Sequence, residues 1–141
     1  TQRRTGKRTY REREYREKLR SDLGMAAMAI KIEPRILKAI KTHTIIVLDG
    51  LYSWEEYVYL KKKFPQIKLL CIYASPEIRY DRLRRRPVRP LTYQEADSRD
   101  IAEIENLNKG GPIAKADYLI KNEVSESMFI QELEDWFSTF I

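Results

Sequence analysis

Two groups of residues could carry chemistry in this chain. The first is Asp49, which closes the apolar run Thr44-Ile45-Ile46-Val47-Leu48 and is followed by Gly50, Leu51 and Tyr52. A short β-branched run reads as a buried parallel strand, and open α/β sheets bind their ligands beyond the carboxyl ends of such strands. A carboxylate placed there can organise hydrated Mg²⁺ for phosphoryl transfer, or it can simply cap the turn that follows. The second group is cationic: Asp81-Arg82-Leu83-Arg84-Arg85-Arg86, continued by Arg89 and Arg99. On a helix Arg82 and Arg86 stand one turn apart, so two guanidinium forks are expected to converge on one anion, and a guanidinium face can stack on a base. The bland alternative is an exposed cationic surface neutralised by acids such as Asp81.

These side chains need elements to hold them. Residues 1–9 are polar and read as poorly ordered. From Tyr10 to Leu23 Arg and Glu recur on helical spacing, which predicts an exposed helix ending at Gly24. A second helical stretch is Met25 to Ile32, after which Pro34 is expected to interrupt the helix or to open a separate turn, Arg35 to Lys41. Thr44 to Leu48 is the first expected strand. Ser53-x-x-Glu56 is a capping box that opens a helix ending near Phe64-Pro65, and Lys68 to Ala74 is a second buried strand. Ser75-Pro76-Glu77 combines a hydroxyl cap, a first-turn proline and an acid facing the dipole, so a helix is expected to run to about Arg86. Thr92-x-x-Glu95 starts another helix, Gly110-Gly111-Pro112 reads as a mobile loop, and Tyr118-Leu119-Ile120 forms a third strand stopped at Asn122. Phe129, Leu133, Trp136, Phe137 and Phe140 give the last helix one apolar face. Strands alternating with helices imply an α/β fold, a parallel sheet with flanking helices.

Composition narrows the class. At 141 residues, 43% hydrophobic and 34% charged, the chain suits one globular domain spanning 1–141. No apolar run approaches the roughly 18 residues needed to cross a bilayer, no signal peptide is visible, and a lone Cys71 cannot build a disulfide framework, so a cytoplasmic location and no membrane partner are expected. His43 is the only histidine, which leaves no histidine cluster for a metal. The net charge of +6 is concentrated at the start: Arg3, Arg4, Lys7, Arg8, Arg11, Arg13, Arg16, Lys18 and Arg20 face only Glu12, Glu14 and Glu17. A basic arm of this kind suits a phosphate-facing surface, nucleic acid or plain solvation.

The order of segments resembles a family. A strand ending Asp49-Gly50, a strand ending Ala74-Ser75-Pro76-Glu77, a helix with Asp81-Arg82-x-x-x-Arg86, an insertion, and then Ala116-Asp117-Tyr118-Leu119-Ile120-x-Asn122 look like the P-loop nucleotide kinases, within them the dephospho-CoA-kinase-like and adenylate-kinase-like proteins. The likeness extends over roughly Tyr10 to Phe140. It implies a P-loop kinase-like fold, ATP and Mg²⁺ as cofactors, and a small nucleotide-like acceptor. By that resemblance Asp49 would lie near Mg²⁺ and organise it through water. Arg82 and Arg86 would touch the adenine and phosphates of ATP, with Asn122 near the adenine. Residues 87–115 would be a lid carrying Arg99 as its phosphate-reaching arginine, and residues 10–41 a flap whose Arg16 and Arg20 bind the acceptor.

The chain departs from that pattern at its start. Such kinases open with a strand and Gly-x-x-x-x-Gly-Lys-[Ser/Thr], whose N–H groups wrap phosphate. No such motif is present, and Thr5-Gly6-Lys7-Arg8-Thr9 lacks both the first glycine and the hydroxyl that would reach the metal. The fold is therefore expected to lack its first, central strand, between those ending at Asp49 and Ala74. Two functions are expected from different classes: the C-terminal part of an ATP-dependent small-molecule kinase, inactive alone, or a non-catalytic kinase-like module whose basic first helix contacts nucleic acid or an acidic partner. Oligomeric state is not readable from these residues.

Overall fold

A computed structural model describes the backbone of residues 7–140 and the side chains of residues 14–140. Of residues 1–9, expected to be poorly ordered, 1–6 lie outside the described residues, and from Lys7 the chain is helical. By its internal contacts the chain divides into two units, Thr1–Ile67 and Lys68–Ile141.

The first unit is helical. Helix α1 (Lys7–Leu23) stops where Gly24 takes φ 79°, a left-handed conformation that costs a glycine nothing, and its N–H closes on Arg20 O at 2.9 Å. Helix α2 (Ala27–Ala39) contradicts the expected interruption, because it runs through Pro34 without a break. Proline removes one ladder hydrogen bond, but here the ring stays exposed while Ala29 and Ile36 on either side of it are buried against Leu60 of helix α3 (Trp54–Lys63). Burial of that shared face outweighs one lost bond. Ile32, Leu51, Tyr59, Phe64 and Ile67 pack around the same cluster. Glu33 of α2 accepts a hydrogen bond from the Tyr59 hydroxyl and pairs with Lys63 at 3.2 Å, which fixes α2 against α3 on its outer side.

The stretch Thr44 to Leu48 is a second departure: it forms no strand, and Val47 is 80% exposed. β-Branched side chains favour an extended backbone, but a strand exists only through its ladder, and this run has no ladder partner among the described residues.

The second unit contains the sheet. Strand β1 (Leu70–Tyr73) pairs in parallel with strand β2 (Tyr118–Lys121), in the register Leu70 to Tyr118 and Ile72 to Ile120. Asp117 sets that register, because its carboxylate accepts from Leu69 N–H at 2.8 Å while its own N–H donates to Leu69 O at 2.9 Å. Between the strands lie helices α4 (Pro76–Arg85), α5 (Tyr93–Leu107) and α6 (Gly110–Ala114), and helix α7 (Glu126–Ser138) follows β2. The loop expected at Gly110-Gly111-Pro112 is in fact the short α6, closed by Lys115 N–H on Gly111 O with Pro112 buried. The apolar face read for the last helix meets the sheet through rings: Trp136 and Phe140 both stand edge-on to Tyr118, at 5.4 and 5.5 Å.

Candidate functional site

Two loci hold the residues that chemistry would use, one in each unit. In the first, Asp49 is exposed at the head of a turn that leads into α3. Gly50 has φ 87°, and a Cβ there would meet the Tyr52 ring at 3.0 Å, so the turn needs glycine for both its backbone and its space. Ser53 caps α3 as expected, accepting from Glu56 N–H at 3.1 Å, and its hydroxyl donates to Met25 O at 3.2 Å. Glu56 Oε2 accepts from Tyr52 N–H at 3.0 Å. Burial pushes the Glu56 carboxyl above the ordinary carboxylate range, against the opposing pull of Tyr52 N–H and the Arg20 charge. Arg20 of α1 is half-buried, as is Arg16, and Arg20 is the charge that acts on Glu56. Among the described residues no group of three His, Cys, Asp or Glu side chains forms a metal cage, so Asp49 offers a single carboxylate.

The second locus differs from the expected convergence of arginines. Helix α4 ends at Arg85, and Arg86 is extended with ψ 142°, so Arg82 and Arg86 do not stand one turn apart on a common helical face. Pro87 and Pro90 are the cause, since a residue before proline avoids the helical region. Arg82 donates to Asn122 O at 2.6 Å and more distantly to Val124 O at 3.5 Å; Arg86 Nε is turned instead to Arg89 O. Arg84 and Arg85 share one oxygen of Asp81, both at 3.0 Å, and hold that carboxyl below its usual range. Arg99 lies exposed on α5. The structure does bring Arg82 and Asn122 together. With Val124, Glu126, Phe129 and Ile130 they line a cleft of about 570 Å³ at the end of β2 and the start of α7. The lining combines apolar side chains with a guanidinium, an amide and a carboxylate, a mixture that suits a flat polar ring.

Sequence reasoning missed the most densely bonded cluster. Arg79 spans three elements: its Nε donates to Ala74 O at 3.0 Å beyond β1, and its fork grips Asp100 of α5 at 3.0 and 2.6 Å. Tyr80, buried, donates to the same Asp100 at 2.8 Å and stands edge-on to Tyr93. Burial first, and then the bond to Asp100, pushes the Tyr80 phenol up to about 12, while the Arg79 fork holds Asp100 below the ordinary carboxylate range. These partners are about twenty residues apart with no repeating spacing, so no local pattern marks them. Ser75 likewise departs from its expected role: its hydroxyl makes no cap bond, and its N–H instead donates to Glu123 Oε1 at 2.7 Å.

No protein-family model matches the chain. Its relatives are archaeal proteins named UPF0200. The chain is 38% identical over 121 residues to the UPF0200 protein of Pyrococcus abyssi, a match covering 83% of this chain and 64% of that protein. It is 37% identical over 110 residues to the UPF0200 protein of Pyrococcus furiosus, covering 75% and 59%, and 34% identical over 116 residues to that of Hyperthermus butylicus, covering 81% and 60%. The chain thus spans less than two thirds of the length of these relatives. None of the three names states an activity. Among the described residues no helix is long and apolar enough to cross a membrane.

Proposed function

We propose that this chain is the base-binding, metal-organising part of an ATP-dependent small-molecule kinase of the P-loop nucleotide kinase type. One observation carries the reading: Arg82 and Asn122, forty residues apart and both expected at the base from the family likeness, line one cleft whose apolar wall includes Phe129. A base stacked there would meet the Arg82 guanidinium or the Phe129 ring and find hydrogen-bond partners in Asn122 and Glu126. Asp49 fits hydrated Mg²⁺, because that ion keeps most of its waters and needs only one or two carboxylates. Bound Mg²⁺ would supply charge neutralisation on the phosphates. Asp81 pairs with Arg84 and Arg85 and Asp100 with Arg79, which leaves the exposed Arg99 and the half-buried Arg86 as the candidates for phosphate contact. The phosphate cradle is a different matter, since this sequence holds no Gly-rich loop ending in Lys-[Ser/Thr].

The test is calorimetric titration of ATP and Mg²⁺ into the intact protein and into Phe129→Ala, Arg82→Gln and Arg84→Gln. The expected result is a loss of about tenfold in affinity at the first two, about 1.4 kcal/mol, and no change at Arg84. Equal binding by all three would remove the cleft from the reading. A second reading, a non-catalytic module that binds nucleic acid or an acidic partner through α1, is favoured by one observation: from Glu14 to Leu23 only Leu19 is buried, which leaves Lys18 facing solvent. Salt-sensitive binding of a random duplex without ATP affinity would select it.

A further inference from the structure

We propose that Glu56 is the positioning residue of the Asp49 turn, acting through the Tyr52 backbone rather than as an ordinary helix cap. The inference rests on the metal-organising role proposed for Asp49. Among the described residues Ser53 and Glu56 are the buried polar side chains, at 0% and 2% exposure, and they sit at the same helix start. An ordinary capping box turns its acid back to the N–H of the capping residue. Glu56 reaches one residue further toward Asp49, to Tyr52 N–H, while Ser53 N–H also faces the carboxyl.

Tyr52 is thereby fixed twice. Its backbone is held by Glu56, and its ring lies across Gly50, where a Cβ would come within 3.0 Å. Gly50 adjoins Asp49, so the turn that Glu56 and Ser53 anchor is the one that carries this exposed carboxylate. Ser53 ties the same turn to the corner between α1 and α2 through Met25 O. Helix capping alone requires only the Ser53 hydroxyl, and a leucine at 56 would fill the space without burying a carboxyl. The second oxygen, Oε1, is sealed from solvent without a hydrogen-bond partner, a cost that a residue serving only as filler would not carry. The charges acting on Glu56 are Arg20 from α1 and Glu55 from α3. What the position demands is an acceptor aimed at Tyr52.

The test uses the intact protein and three variants: Glu56→Ala, Glu56→Gln and Asp49→Asn. Hydrogen exchange at the Tyr52 amide reads the anchor, and Mn²⁺ broadening of the Asp49 and Gly50 amides reads the site. Glu56→Ala is expected to expose Tyr52 N–H to exchange and to weaken Mn²⁺ binding about tenfold. Glu56→Gln keeps an acceptor oxygen and should restore both, and it carries the test if the alanine variant does not fold. Unchanged Tyr52 exchange in Glu56→Ala, or loss of both signals in Glu56→Gln, overturns the proposal. If Asp49→Asn leaves Mn²⁺ broadening unchanged, the metal role of Asp49 falls instead, while Tyr52 exchange still decides whether Glu56 holds the turn.

Discussion

Arg86 shows how far one residue's surroundings can change its meaning. In sequence it belongs to an arginine run; in the fold it has left α4, and its Nε is spent on Arg89 O rather than on Asp81. Its neighbours Arg84 and Arg85 lie on Asp81. If Arg86 reaches phosphate in the complete protein, Arg86→Lys should lower catalytic efficiency about tenfold despite the retained charge, because an ammonium cannot reproduce the planar fork. Arg84→Lys and Arg85→Lys should be tolerated. Assays of ATP consumption with candidate nucleotide acceptors read the difference, and equal small effects would mean a solvated cationic face. A second expectation concerns Glu56. Its carboxyl titrates above its value in the unfolded chain, so its contribution to stability is complete below the unfolded value, about 4.3, and is lost as pH rises through the higher folded value. The melting temperature of the natural protein relative to Glu56→Gln should therefore fall as pH rises from about 4. A flat difference above that pH would show that the carboxyl is not buried as a charge.

At the scale of elements, the Arg79–Asp100 fork is what joins α4 to α5, and Tyr80 supports it from the same carboxylate. Asp100→Asn should cost about 1–2 kcal/mol, because the pair is charge-assisted and bidentate yet partly exposed. The sign of its pH dependence is opposite to that of Glu56. The Asp100 carboxyl is held low, so its stabilisation is present above about 3.9 and fades as pH falls through the folded value. The difference between denaturant melts of wild type and Asp100→Asn should shrink as pH is lowered below about 3.9. The sheet leads to a further expectation. Leu69 and Tyr73 turn their carbonyls toward β2, so the backbone groups of Leu70 and Ile72 face the other edge, and the Ile72 side chain is 52% exposed. Two parallel strands rarely persist alone. In residues 1–141 the Leu70 and Ile72 amides should exchange quickly, and in a full-length archaeal relative the amides at the matching positions should exchange slowly if a further strand pairs with this edge. Fast exchange in both would mean that the edge is unpaired.

For the whole molecule, the proposed reading assigns base binding to the cleft and metal binding to the Asp49 turn, and the sequence supplies no Gly-rich phosphate cradle. Residues 1–141 by themselves are therefore expected to bind ATP no more tightly than about the millimolar range, since arginine–phosphate contacts in solvent are screened and weak. Calorimetry showing micromolar, Mg²⁺-dependent binding by this chain would contradict that. The relatives are longer than the matched region, and the same measurement on a full-length archaeal relative tests whether tight binding needs more chain.

The sequence by itself determined the elements whose signals are local. Ser53 and Thr92 cap their helices through bonds spanning three residues, Gly24 ends α1, and Asn122 follows β2, because each needs only its own neighbours to form. The pairing of Arg82 with Asn122 was also within reach, through the family likeness rather than through spacing. Tertiary structure decided the rest. Pro34 stays helical because α3 covers the residues on either side of it; Thr44 to Leu48 is no strand because none of the described residues lies beside it as a ladder partner; Arg86 leaves its helix under the constraint of Pro87. Arg79 and Asp100, and Glu56 and Tyr52, acquire their roles from burial and from the geometry of facing groups, and that is a property of the packed chain which no local run of residue types encodes.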